Sequence, residues 1–180
     1  LLIIDMINDL EFDDGEHMLA PALEAAQHLQ QLKSRLARCS IPTIYVNDNF
    51  GKWRSDFRQL VEHTLEDNVR GEPVVKLLKP GDEDYFVIKT RHSGFYGTTL
   101  EILLHHLEAD TLILAGMTGD ICVQFTAQDA YMRRFNLIIP PDLIVCKDDE
   151  TKQTALKQLR QTCKAKTPFS HEIDLDSFCE

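Results

Sequence analysis

The sequence predicts an α/β fold, a three-layer α/β/α sandwich around a mostly parallel, Rossmann-like open sheet of about six strands. Two observations carry this. Short apolar runs alternate with longer stretches that repeat apolar residues every three or four positions, the pattern of βαβ units whose strands are buried on both faces. Right-handed crossovers then leave an open sheet with helices on both sides. At 180 residues the chain fits one domain spanning 1–180, since domains average roughly 100 to 200 residues.

Leu1 to Met6 reads as the first strand. Pro21 to Cys39 follows as a helix, with Leu23, Ala26, Leu29, Leu32 and Leu36 on one face and a proline start. Thr43 to Asn47 (TIYVN) is the second strand. Residues 48–84 hold a short helix around Asp56 to Glu66 and a turn at Lys79-Pro80-Gly81-Asp82, a connection long enough to be a functional loop. Tyr85 to Lys89 (YFVIK) is the third strand. Thr98 and Glu101 have the spacing of a capping box for a helix running to about Leu107. Thr111 to Ala115 (TLILA) is the fourth strand, followed by Gly116 and a helix from about Asp120 to Phe135. Leu137 to Ile139 and Leu143 to Val145 are extended, a helix runs from about Glu150 to Cys163, and the tail is expected to add a strand.

Hydrophobic residues at 43% and charged residues at 27% are those of a globular chain and exclude disordered or collagen-like classes. Lys+Arg 19 against Asp+Glu 29 gives a net charge of −10, which argues against nucleic acid or an anionic membrane as partner. No apolar run approaches the roughly 18 residues of a spanning helix. The chain starts at Leu1 rather than Met, so a few residues are expected to precede it, and with no basic-then-apolar leader the expected location is cytoplasmic. The five cysteines, Cys39, Cys122, Cys146, Cys163 and Cys179, are irregularly spaced. They form neither a disulfide framework nor a CxxC metal ladder, and free thiols are expected.

In open parallel sheets the ligand crevice lies outside the carboxyl ends of the strands. Three reactive side chains sit there: Asp5 after LLII, Lys89 after YFVI, and Cys122 at the opening of the helix after TLILA. A helix start and a nearby ammonium both favour thiolate, so Cys122 is expected to be activated as a nucleophile. Asp5 is placed to accept the thiol proton and return it to a leaving amine. First-turn amides around Cys122 offer an oxyanion site. Asp120 would oppose thiolate if it pointed inward, and is expected to cap the helix instead.

These segments resemble the isochorismatase-like cysteine hydrolase family. LLIIDMINDL is similar to its opening strand, VIKTRHSGFYGTTLEILL to its lysine segment, and LAGMTGDICVQFTAQDAYMRRF to its nucleophile segment, in the same order across nearly the whole chain. The resemblance implies a catalytic trio of Asp5, Lys89 and Cys122. It also implies a cis peptide between Met117 and Thr118, with the Thr118 and Cys122 amides as oxyanion hole. Ile7 and Leu10 depart from the family's usual Gln and Phe. Nicotinamidase members carry a metal-binding Asp followed closely by histidines; here Asn47-Asp48-Asn49-Phe50-Gly51-Lys52-Trp53 has the Asp without the histidines, so no metal or other cofactor is expected. Isochorismatases that cleave a vinyl ether lack the cysteine.

Each of these residues has a plainer reading. A lone cysteine is usually a small core hydrophobe, which is accepted for Cys39, Cys163 and Cys179; Cys146, after LIV and beside Lys147, is the rival to Cys122. Leu10, Asn47, Trp53, His92 and Phe95 are expected to contact substrate, although aromatics in such folds more often fill the core. The expected activity is hydrolysis of a C–N bond in a small amide, imide or ureido substrate through a thioester. The alternatives are a vinyl ether hydrolase and a catalytically silent binding or scaffold member. The expected partners are the small-molecule substrate and other copies of the same chain in a homo-oligomer.

Overall fold

The computed structural model describes residues 1–49, 56–175 and 178. Its elements are β1 (Leu2–Ile4), α1 (Gly15–Arg38), β2 (Ile44–Asp48), α2 (Phe57–Glu66), α3 (Glu72–Leu77) and β3 (Tyr85–Lys89) in the first half. They continue with α4 (Leu100–His106), β4 (Thr111–Met117), a π-helical turn (Gly119–Val123), α5 (Gln124–Met132), β5 (Asn136–Ile138), β6 (Ile144–Val145) and α6 (Asp149–Cys163). The strands form one six-stranded sheet in the order β3-β2-β1-β4-β5, with β6 also paired to β4. Among the described residues every pairing of these strands is parallel, as strands joined by crossover helices are.

Alternation along β1 shows how the layers are built. Leu2, Ile3 and Ile4 are all fully buried. Ile3 packs with Tyr45, Leu29, Leu32 and Leu36 under α1 and α3, whereas Leu2 and Ile4 pack with Val46, Val87, Val123, Ala127 and Ala130 under α4, α5 and α6. Each such fully buried aliphatic side chain contributes about 1.5–3 kcal/mol. The small Ala127 and Ala130 let α5 lie close on the sheet.

Several boundaries differ from the sequence expectation. α1 begins at Gly15, so Pro21 lies inside it; Met18, 2% exposed, extends the buried stripe upstream of the proline. The capping box before α4 does not form, because the Thr98 hydroxyl donates to Gly94 O and accepts from Leu100 N, while Glu101 pairs with Arg133 at 2.9 Å. Among the described residues the tail makes an isolated bridge, Lys166 to Ile138, in place of a strand. Cys39 is disulfide-bonded, unlike the free thiols expected, since irregular spacing along a chain says nothing of which cysteines meet in space. Cys179 and Trp53 lie outside the described residues. No helix among the described residues is long and apolar enough to cross a membrane.

At the carboxyl end of β4, Gly116 has φ 128, and a Cβ there would stand 2.0 Å from Ile4 O. Only glycine permits β1 and β4 to approach so closely ahead of the nucleophile turn. Gly116→Ala is expected to lower stability by about 2 kcal/mol or more in urea unfolding; an unchanged midpoint would refute this account of the turn.

Candidate active site

Three neighbouring strand ends converge. Asp5 leaves β1 with φ 53, a left-handed conformation that short polar residues tolerate better than most, and its amide still donates to Val46 O at 3.0 Å. This turn points the carboxylate across the sheet: Oδ1 accepts from Asp48 N at 2.7 Å and Oδ2 lies 2.8 Å from Lys89 Nζ. Lys89 pairs in register with Asp48 on β2. It is fully buried, its ammonium reaching Asp48 Oδ2 at 3.3 Å and Cys122 Sγ at 3.4 Å.

Cys122 arrives from β4 through a cis peptide between Met117 and Thr118. The π-helical turn that follows is closed by Ile121 N and Val123 N donating to Thr118 O at 3.2 and 3.1 Å. It has no side-chain cap, so Asp120 does not play the capping part expected of it. Cys122 is half-buried, with Asp5 and Lys89 as its ionic neighbours.

Charges in this cluster are strongly coupled. Burial pushes the Asp5 carboxyl up, against the pull of Lys89 and of the hydrogen bonds from Lys89, Cys122 and Asp48. For Lys89, burial favours the neutral amine, but the charges of Asp5 and Cys122 prevail and hold it as ammonium. Burial and then the Asp5 charge push the Cys122 thiol up to about 12, with Lys89 opposing. The resting site therefore holds a protonated thiol hydrogen-bonded to Asp5, where Lys89 and a helix start alone would favour thiolate.

The other residues singled out from sequence do not contact the trio through any hydrogen bond or ion pair among the described residues. Leu10 is 1% exposed and packs in the core under α1 and α3. Asn47 is fully buried and donates through Nδ2 to Ile7 O at 2.7 Å, bracing the loop after β1. Phe95 is buried and lies beneath the Arg133 guanidinium at 4.8 Å. His92 is exposed, its ring 5.4 Å from that of Phe125 on the helix that follows Cys122. Cys146 is buried under the nucleophile turn; its sulfur accepts from the Gly119 and Asp120 amides and would stand 2.7 Å from a Cβ on residue 119. Among the described residues, no group of three or more His, Cys, Asp or Glu side chains is placed to hold a metal ion. Sequence reasoning noted Asp48 only as the counterpart of a metal-binding Asp and missed it as a partner of Lys89, although it ends a strand just as Lys89 does.

Comparison with known proteins shows the family. The family model of the isochorismatase domain matches residues 1–168. The uncharacterized isochorismatase family protein YaaI of Bacillus subtilis (strain 168) is 38% identical over 173 residues, 96% of this chain and 94% of its own. The N-carbamoylsarcosine amidase of an Arthrobacter species is 33% identical over 143 residues, 72% of this chain and 53% of its own. Among solved structures, the N-carbamoylsarcosine amidase of Thermoplasma acidophilum superposes with a TM-score of 0.73 at 25% identity, over 96% of each chain. With the family model spanning the sheet and all three converging strand ends, the chain belongs to the isochorismatase family of hydrolases.

Proposed function

We propose that the protein hydrolyses a C–N bond in a small amide, imide or ureido substrate through a thioester on Cys122. The observation that carries this reading is the contact of one thiol with a carboxylate and an ammonium, Lys89 Nζ standing 3.4 Å from Cys122 Sγ and 2.8 Å from Asp5 Oδ2. The similarity to N-carbamoylsarcosine amidases supports the same reaction class.

In the proposed cycle Sγ attacks the carbonyl carbon as its proton passes to Asp5. In this cycle the Thr118 and Cys122 amides receive the oxyanion. Asp5 then protonates the nitrogen, the C–N bond breaks and the amine leaves. Water attacks the thioester carbon, giving its proton to Asp5; the carboxylic acid product departs as Cys122 leaves as thiolate, and Asp5 reprotonates the sulfur. Lys89 remains charged throughout and compensates the negative charge shared by Asp5 and sulfur.

A panel of small amides, imides and ureas assayed for release of ammonia or amine, with acid-quenched intact mass spectrometry, tests this reading. The expected result is turnover of at least one class together with a mass increment on Cys122. Turnover with no adduct under rapid quench would count against the thioester.

The resting proton on sulfur makes a second, oppositely signed prediction. Asp5→Asn removes a charge that holds the thiol pKa up, so iodoacetamide should alkylate Cys122 faster at pH 8 than in the unaltered protein. The same substitution removes the proton carrier and should lower kcat about a hundredfold or more. If alkylation slowed along with turnover, Asp5 would be structural.

A further inference from the structure

One face of α5 is latched to the loop that follows Lys89. Thr126, Asp129 and Arg133 recur at three- and four-residue spacing and so share that face. Asp129 accepts from Ser93 Oγ and lies 3.3 Å from Arg133 NH1. Ser93 in turn accepts from Phe95 N at 3.1 Å. Nearest the nucleophile stands Thr126, fully buried. A helical threonine commonly donates to the carbonyl four residues back, and here its hydroxyl donates to Cys122 O at 2.7 Å. Its oxygen also accepts from Gly94 N at 3.0 Å. One buried oxygen therefore joins the peptide of Cys122 to the segment five residues beyond Lys89 in the chain, and each of its bonds anchors a different half of the reactive pair.

We infer that Thr126 is a positioning residue: its hydroxyl sets the nucleophile turn against the loop that follows Lys89 and so fixes Cys122 Sγ beside Lys89 and Asp5. The inference rests on the proposed cysteine chemistry for its effect on turnover, and on geometry alone for its effect on the thiol. A valine keeps the shape of the side chain and leaves Gly94 N–H and Cys122 C=O without their shared partner, whereas a serine keeps both bonds.

The test compares Thr126→Val and Thr126→Ser with the unaltered protein on an amide that it hydrolyses. A parallel measurement follows iodoacetamide alkylation of Cys122 against pH. Thr126→Val is expected to lower kcat at least tenfold with KM within threefold. It should also speed alkylation at pH 8 at least threefold, as the sulfur escapes the burial and the Asp5 charge that suppress it. Thr126→Ser should keep both readings within twofold. Thr126→Ala serves in place of valine if that variant is poorly folded by circular dichroism. A valine variant with unaltered kcat and alkylation profile, or a serine variant that falls as far as valine, would overturn the inference. Should Cys122→Ala retain turnover, the thioester reading fails, and the alkylation comparison still decides the role of Thr126.

Discussion

Cys122→Ala is expected to reduce turnover of any amide substrate by about three orders of magnitude or more, with stability changed by no more than about 1 kcal/mol. The asymmetry follows from where the sulfur sits. Cys122 is half-buried at the start of α5, and its side chain belongs to the margin of the core under α4 to α6, not to its centre. Removing it costs little packing. It does remove the atom that both Lys89 and Asp5 address, and neither partner can replace a nucleophile. Cys122→Ser should be nearly as inactive, because a hydroxyl is harder to deprotonate than a thiol that is already pushed up to about 12. Steady-state amine release and rapid-quench mass spectrometry give the readouts. Retention of more than a tenth of the activity would sink the thioester route and favour a reaction in which the thiol is dispensable.

How much of this site can be read without coordinates depends on how local each signal is. Asp5, Lys89 and Cys122 each follow an apolar strand run, and parallel topology brings such ends together, so the trio is legible residue by residue. Asp48 ends a strand too, but Asn47 interrupts the apolar run one position early and hides it. The pleat also turns Asn47 from the face that Asp48 shares with Lys89, a consequence of register that spacing alone does not reveal. Leu10, with φ 57, depends on how the loop after β1 folds back under α3, where Gly71 N donates to Asp9 O at 2.8 Å. No local pattern records that contact. α3, six residues long, is too short to show a helical period. The protonation state of Cys122 was hidden for a different reason. The charges of Lys89 and Asp5 are equal and opposite, so the outcome turns on burial, which is a property of the folded chain.

Lys89→Met should be the most damaging single substitution for stability, at about 3–5 kcal/mol. Lys89 is fully buried and Asp5 is 5% exposed, and the ammonium lies 2.8 Å from one Asp5 oxygen and 3.3 Å from Asp48 Oδ2. Methionine fills the volume of the lysine stem and supplies no charge, leaving the buried Asp5 carboxylate without the ammonium it faces. The Asp5 carboxyl, already raised by burial, would then take up a proton and cease to act as a base, so turnover should disappear as well. Lys89→Arg should not restore it, since a planar guanidinium cannot occupy a fully buried site shaped for one compact ammonium. The double variant Lys89→Met with Asp5→Asn separates the two effects. Replacing both partners removes the uncompensated charge, so urea unfolding should recover most of the lost stability while turnover stays absent. Simple additivity of the two single variants would show that Asp5 and Lys89 do not depend on each other in the folded state. A large coupling with no return of activity would show that each charge depends on the other in the folded state, and that catalysis further requires the carboxylate that follows β1 and the ammonium at the end of β3.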